Sequence, residues 1–217
     1  MLSHNYILSS VDHSLFLKHH GTNITALLLY VEYIVLTEND VEEINHVTHL
    51  LDQNFKFKNL GDHTSFLGFE VAHNKTKLHL SQRKYTLDLL NETRMLDYAP
   101  MPTPTVHYSR PSTNKGIKLI EDKSTTYRRL IGHLIYLTNM RSDITFGVNN
   151  LSQFVSAPTK DHQQAACRIL RYLKNALGYG LFFQNKKCIK LKAYSDFDWA
   201  TCFETRKSIT GFSIYLG

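Results

Sequence analysis

A chain of 217 residues is long enough for one large or two small domains around a sizeable core. Its net charge of +6 and pI near 9.1 favour polyanionic partners. Three cysteines without C-x-x-C spacing, Cys167, Cys188 and Cys202, exclude a disulfide framework and point to a reducing compartment. Met1–Asp12 lacks a sustained apolar core, so no secretory or transit segment is read there. The longest apolar stretch, Ile24–Leu36, is too short to span a bilayer and carries Glu32. These features predict an intracellular protein, cytoplasmic or nuclear, with no membrane partner.

In chain order, Leu15, Phe16 and Leu17 predict a first strand. Leu27–Val31 and Ile34–Thr37 read as strand arms around Tyr30-Val31-Glu32-Tyr33, and a β-hairpin satisfies that pattern by lifting Glu32 to its turn. A carboxylate on a rigid hairpin tip suits a divalent metal. Asp40 and Glu43 form a D-x-x-E helix start. Val41, Ile44, Val47, Leu50 and Leu51 follow at helical spacing, which predicts a helix packed by one face. His46 and His49 fall on its solvated side. Phe55, Phe57, Phe66, Phe69 and Val71 mark strands punctuated by Gly61 and Gly68, and Leu78 and Leu80 mark another. Ser81 is expected to N-cap a helix ending near Met95.

Pro100, Pro102, Pro104 and Pro111 then predict a linker. Thr125–Asn139, Phe146–Val155 and Lys160–Leu177 carry helical periodicity. In the last, Ala165, Ala166, Ile169, Leu170, Leu173 and Leu177 share one face, leaving Gln164, Arg168, Arg171 and Lys174 outward. Gly178 and Gly180 end it. Arg128, Arg129, Arg168, Arg171 and Lys174, with Lys186, Lys187, Lys190 and Lys192, form either a nucleic-acid track or a solvated face. Leu181–Phe183, Ile189–Tyr194 and Ser208–Leu216 read as strands, with Asp196 in Ser195-Asp196-Phe197-Asp198-Trp199.

Tyr30-Val31-Glu32-Tyr33 resembles the tyrosine-x-Asp-Asp signature of reverse transcriptases, written YVDD in the copia-type retrotransposons, with Glu32 and Tyr33 at the aspartate positions. Further stretches are similar to that family in the same order. They are NFKFKNLGDHTSFLGFE at Asn54–Glu70, LSQRKYTLDLL at Leu80–Leu90 and YRRLIGHLIYLTNMRSDI at Tyr127–Ile144, followed by Leu151–Pro158 with His162, RILRYLK at Arg168–Lys174 and YSDFDWATCFETRKSITG at Tyr194–Gly211. Ser142 stands where the family usually has proline.

The resemblance implies an α+β fold. A truncated reverse-transcriptase palm would span 1–99, a Pro-rich linker 100–123, a helical thumb and connection region 124–180, and the opening strands of an RNase H-like unit 181–217. It implies RNA-directed DNA synthesis from a retroelement Pol polyprotein, with Mg²⁺ as cofactor and RNA or an RNA–DNA hybrid as partner. Glu32 and Tyr33 then occupy the positions of the catalytic pair, and Asp196 that of the first RNase H carboxylate. Glu32 and Asp196 become the candidate metal ligands, and Arg128, Arg129, Arg168, Arg171 and Lys174 the candidate nucleic-acid contacts. The family's earlier palm aspartate is expected to be absent, since Asp12 is the one carboxylate before Ile24, and the later RNase H acids are expected to lie past Gly217. Tyr33 is neutral and bulky, and Glu32 carries one methylene more than aspartate, which predicts a chain without polymerase activity. Two alternatives stay open: a nucleic-acid-binding module without catalysis, and a fragment of a longer, active Pol polyprotein. Phe197, Trp199, Phe212, Ile214 and Tyr215 are expected to be partly exposed.

Overall fold

Alternating apolar residues in the first part of the chain build an antiparallel sheet, and apolar stripes at helical spacing build a helical core further on. The computed structural model describes residues 5–31, 33–37, 41–55, 58, 65–74, 76–106, 116–184, 190–199, 206 and 208–216, with Val41 and Ile209 described by their backbone alone. The fold is α+β with antiparallel sheets, and it divides into two compact units, Met1–Gly61 and Asp62–Gly217.

In the first unit, β1 (Ile7–Leu8), β2 (Leu15–His20), β3 (Asn23–Tyr30) and β4 (Tyr33–Thr37) pair in sequence order. Phe16 and Leu36 both lie opposite Leu27 on the central strand. Leu27 is fully buried with Val47 and Leu51 of α1 (Val41–Asn54), on the face that the helical spacing predicts. Asp40 lies outside the described residues. Glu43 anchors α1 to the sheet: its Oε1 accepts the Lys18 ammonium at 2.6 Å and the buried Tyr6 hydroxyl at 3.1 Å. Burial alone would raise the Glu43 carboxyl, but these donors outweigh it and hold it below its ordinary value.

In the second unit, β5 (Ser65–Phe66), β6 (Phe69–Asn74), β7 (Lys77–Ser81) and β8 (Gly180–Gln184) form one sheet in that order. The helices α2 (Arg83–Glu92), α3 (Glu121–Leu137), α4 (Thr145–Ser152) and α5 (Lys160–Asn175) bury Leu90, Leu134, Val148, Leu170 and Leu173 among a continuous apolar cluster. β9 (Leu191–Asp198) and β10 (Ile209–Leu216) make a separate hairpin. Residue 181, where the sequence places a new unit, falls within β8, which pairs Leu181 with Leu80. A Cβ on Gly180 would lie 2.0 Å from the Leu80 carbonyl oxygen, so β8 reaches β7 only because that residue has no side chain. No helix among the described residues is long and apolar enough to cross a membrane.

Two caps differ from their expected form. Ser81 is the last residue of β7, paired with Glu70 and Gly180, and is not the N-cap of α2. Strand pairing holds it in the sheet, and Gln82 takes the cap position without a side-chain cap bond. Glu70 of β6 substitutes, its Oε1 accepting the Lys84 amide at 3.2 Å. At α5, Thr159 and the buried His162 form a reciprocal box: Nδ1 accepts the Thr159 amide at 3.0 Å, and the Thr159 hydroxyl oxygen accepts the His162 amide at 3.4 Å.

Arg141 joins the helices. It is 3% exposed, donates through Nε and Nη2 to both oxygens of Asp143 at 2.9 and 2.8 Å, and through Nη1 to the Ala176 carbonyl at 2.8 Å. The Tyr172 hydroxyl donates to Asp143 Oδ2 at 2.6 Å. Burial would raise the Asp143 carboxyl, but Arg141 and Tyr172 overcome it and lower it. A depressed folded value stabilises above the ordinary carboxylate range, and that stabilisation is lost as pH falls through the folded value. Arg141→Met is expected to cost about 1–3 kcal/mol at neutral pH, because it leaves the Ala176 carbonyl without its buried donor and Asp143 without its cation. Urea titrations of wild type and variant at pH about 7 and about 3 check both claims, and the gap between the two proteins should narrow in acid.

Candidate functional site

The β3–β4 register pairs Tyr30 with Tyr33, and these two residues close the hairpin. Val31 has φ 44°, the left-handed geometry that tight hairpins require and β-branched residues avoid. Glu32 lies outside the described residues. Tyr33 opens β4 with its side chain 43% exposed, on the same side of the sheet as Tyr30. The donor chemistry at this tip does not fit a paired-carboxylate metal site. Of the two positions, one carries a carboxyl group and the other a phenol, a poor ligand for a hard divalent ion.

Asp196 lies on β9 opposite Gly211 of β10, exposed, with its Oδ1 accepting the Phe197 amide at 3.0 Å. Asp198 follows two residues on, along the same face. No three His, Cys, Asp or Glu side chains group together for a metal among the described residues. The hairpin is amphipathic. Leu191, Phe197, Phe212, Ile214 and Leu216 share one face by register, and all are exposed, as are Tyr215 and Trp199, the latter at 82%.

The five expected basic contacts separate into two kinds. On α3, Arg128 pairs with Glu121 at 2.8 Å and Arg129 with Glu92 of α2 at 3.2 Å. On α5, Arg168, Arg171 and Lys174 stand at successive three-residue steps and are half-buried rather than fully outward, because the segment 96–105 lies along them. Arg168 Nε donates to the Thr103 carbonyl at 3.2 Å and Nη2 to its hydroxyl at 2.9 Å. Arg171 Nε donates to the Ala99 carbonyl at 2.6 Å. Lys174 Nζ donates to the Leu96 carbonyl and, at 2.8 Å, to that of Tyr98. Lys186 and Lys187 lie outside the described residues, and Lys190 and Lys192 are exposed.

Sequence reasoning missed this seam between the proline-rich segment and α5. The available signal was prolines at alternate positions, each lacking an amide, in a chain whose later helix carries cations at i, i+3 and i+6. It also missed Tyr85, whose hydroxyl lies 2.7 Å from His133 Nδ1 across α2 and α3. Burial, with smaller contributions from Tyr136 and Glu92, raises the Tyr85 phenol and keeps it protonated.

A family model described as reverse transcriptase (RNA-dependent DNA polymerase) matches residues 1–107. The retrovirus-related Pol polyproteins from transposons RE2 and RE1 of Arabidopsis thaliana are 39% and 40% identical to this chain over 217 residues, all of it. The chain spans 15% of the length of each of these two polyproteins. An uncharacterized mitochondrial protein of Arabidopsis thaliana is 38% identical over 198 residues, covering 88% of this chain and 78% of that protein. No solved structure matches the chain.

The exposure of both hairpin faces sets a dynamic expectation. Amides of β9 and β10 should exchange with deuterium faster than those of Ile169–Leu173, since local stability follows local burial. Hydrogen exchange read by mass spectrometry checks this. Equal protection in the two regions would mean that the hairpin is held by contacts its exposure does not reveal.

Proposed function

Because the chain belongs to the reverse transcriptase family of copia-type, retrovirus-related Pol polyproteins, we propose that it binds nucleic acid with a reverse-transcriptase scaffold that does not polymerise. On this reading residues 1–99 correspond to the palm, 124–180 to the thumb and connection, and 181–217 to the first strands of an RNase H-like unit, with the proline-rich segment between palm and thumb. What carries it is Tyr33. The second position of the family's metal-binding carboxylate pair corresponds to the first residue of β4, and there this chain has a phenol, paired across the hairpin with Tyr30.

A divalent ion supplies charge neutralisation and in-line geometry for phosphoryl transfer, and it needs carboxylates held from more than one side. Glu32 as the one acid of the pair, on a side chain a methylene longer, does not meet that requirement. Asp196 is a single candidate ligand on one exposed strand, so metal-dependent RNA cleavage is not assigned to this chain either. Binding is a lesser demand. Phosphate contacts need cations of roughly the right spacing, and Arg128, Arg129, Arg168, Arg171 and Lys174 provide them. A second reading, a segment of a longer active polyprotein, is favoured by one observation: the matched polyproteins are far longer than this chain.

Primer extension on a poly-rA template, with Mg²⁺ and separately with Mn²⁺, is expected to give no incorporation above an enzyme-free blank. Incorporation with either ion overturns the non-catalytic reading. Binding to RNA should be weak, indifferent to sequence and strongly salt-dependent, with a log–log slope of about −2 to −3 if three or four phosphates are contacted. The double change Arg168→Glu, Arg171→Glu should weaken it for all sequences alike. Binding that stays flat between low and moderate salt counts against any phosphate track.

A further inference from the structure

Pro100, Pro102 and Pro104 give the segment 96–105 no amide hydrogens at alternate positions, so it can build neither a helix nor a ladder of its own. Most of its carbonyls are therefore open to donors from outside the segment. The donors are the Lys174, Arg171 and Arg168 side chains of α5, which reach carbonyls along the strap from Leu96 to Thr103. One main-chain bond closes the seam, with the Met101 amide donating to the Arg171 carbonyl at 3.1 Å.

Two features set this seam apart from ordinary packing. The strap is held by polar bonds and little burial, for only Met101, Pro104 and Thr105 among its residues are half-buried and the rest are exposed. The charge beneath it is also not neutralised. Lys18, Arg128, Arg129 and Arg141 each have a carboxylate partner, whereas Arg168, Arg171 and Lys174 form no ion pair among the described residues. Six residues of helix place these three cations along about 9 Å, at 1.5 Å per residue. Neutral carbonyl oxygens are the weaker partners for a guanidinium or ammonium, and an anionic oxygen makes the shorter and stronger bond.

We propose that the strap is a displaceable cover over a phosphate-binding row, its carbonyls occupying the places that backbone oxygens of a single nucleic-acid strand take on binding. The inference rests on the nucleic-acid reading above and adds its regulation. Affinity for the strand is reduced by the fraction of molecules whose row is covered, because only the uncovered form is competent.

The test uses the full chain and a fluorescent oligo-dT strand. In wild type, saturating oligo-dT should speed deuterium uptake in peptides covering 96–105 while the core of α5 stays protected. The charge-neutral variant Pro100→Gly, Pro102→Gly, Pro104→Gly loosens the strap, and should bind oligo-dT about tenfold more tightly with an unchanged salt slope. Met101→Pro, which deletes the amide given to the Arg171 carbonyl, is a second route to the same release. In either background, Arg168→Gln, Arg171→Gln, Lys174→Gln should flatten the slope by about 2, from three single-strand contacts at about 0.7 each. Strap exchange unaffected by bound oligo-dT, or equal affinity in wild type and in a variant whose strap exchanges freely, overturns the cover. Absence of binding in a variant with a freely exchanging strap overturns the nucleic-acid reading as well.

Discussion

The buried guanidinium of Arg141 fixes where α5 ends, and the architecture of the second unit depends on that point. It sits between the end of α3 and the start of α4, grips Asp143 with two bonds and holds the Ala176 carbonyl just past the last turn of α5. The rings of Tyr172 and Tyr179 lie 5.6 and 5.4 Å from its carbon centre. A charge so enclosed is tolerable only with all of these partners, since desolvation would otherwise exceed the Coulomb gain. Through it the C-terminal turn of α5 acquires a defined position, and so do the cations on its outer side and the glycine that starts β8.

The same helix therefore does two things with opposite faces. Ala166, Ile169, Leu170 and Leu173 disappear into the apolar cluster, and Arg168, Arg171 and Lys174 address the strap. A proline-rich segment beside a cationic helix face is a consistent pairing. Proline removes donors and leaves acceptors, and long basic side chains are donors with no acceptor of their own. The pairing satisfies hydrogen bonds without neutralising charge, which separates it from the carboxylate pairs on α3.

Local order was legible in the sequence where one period ruled. The two arms flanking Tyr30–Tyr33, the apolar stripe through Val47 and Leu51 and that through Ile169 and Leu173 all appear as expected, because each is dictated by burial of one face. What was not legible is non-local or reciprocal. Ser81 has the composition of a helix cap, yet pairing with Glu70 and Gly180 keeps it in the sheet, and the cap comes from a residue one strand away. The capping role of His162 was not legible because a capping box is usually closed by Glu or Gln, not imidazole. At the candidate site, the identity of Tyr33 was plain, but the arms read from the sequence, Leu27–Val31 and Ile34–Thr37, miss the register by one residue, since Tyr33 pairs with Tyr30 and β3 ends before Val31. The partners of the α5 cations did not follow from the pattern, since no periodicity links residue 99 to residue 171.

The Leu80–Leu181 pairing has a kinetic consequence. β7 cannot complete its ladder until a strand about a hundred residues later has been made and carried into place. Closing so long a loop without intervening structure is slow and entropically unfavourable. The helices between them shorten the effective span, since α2 to α5 can collapse on one another first and deliver residue 180 beside residue 80. Assembly then runs from the helical core outward to the sheet. During synthesis β7 spends that interval as an unpaired edge, the surface most open to mispairing with another chain.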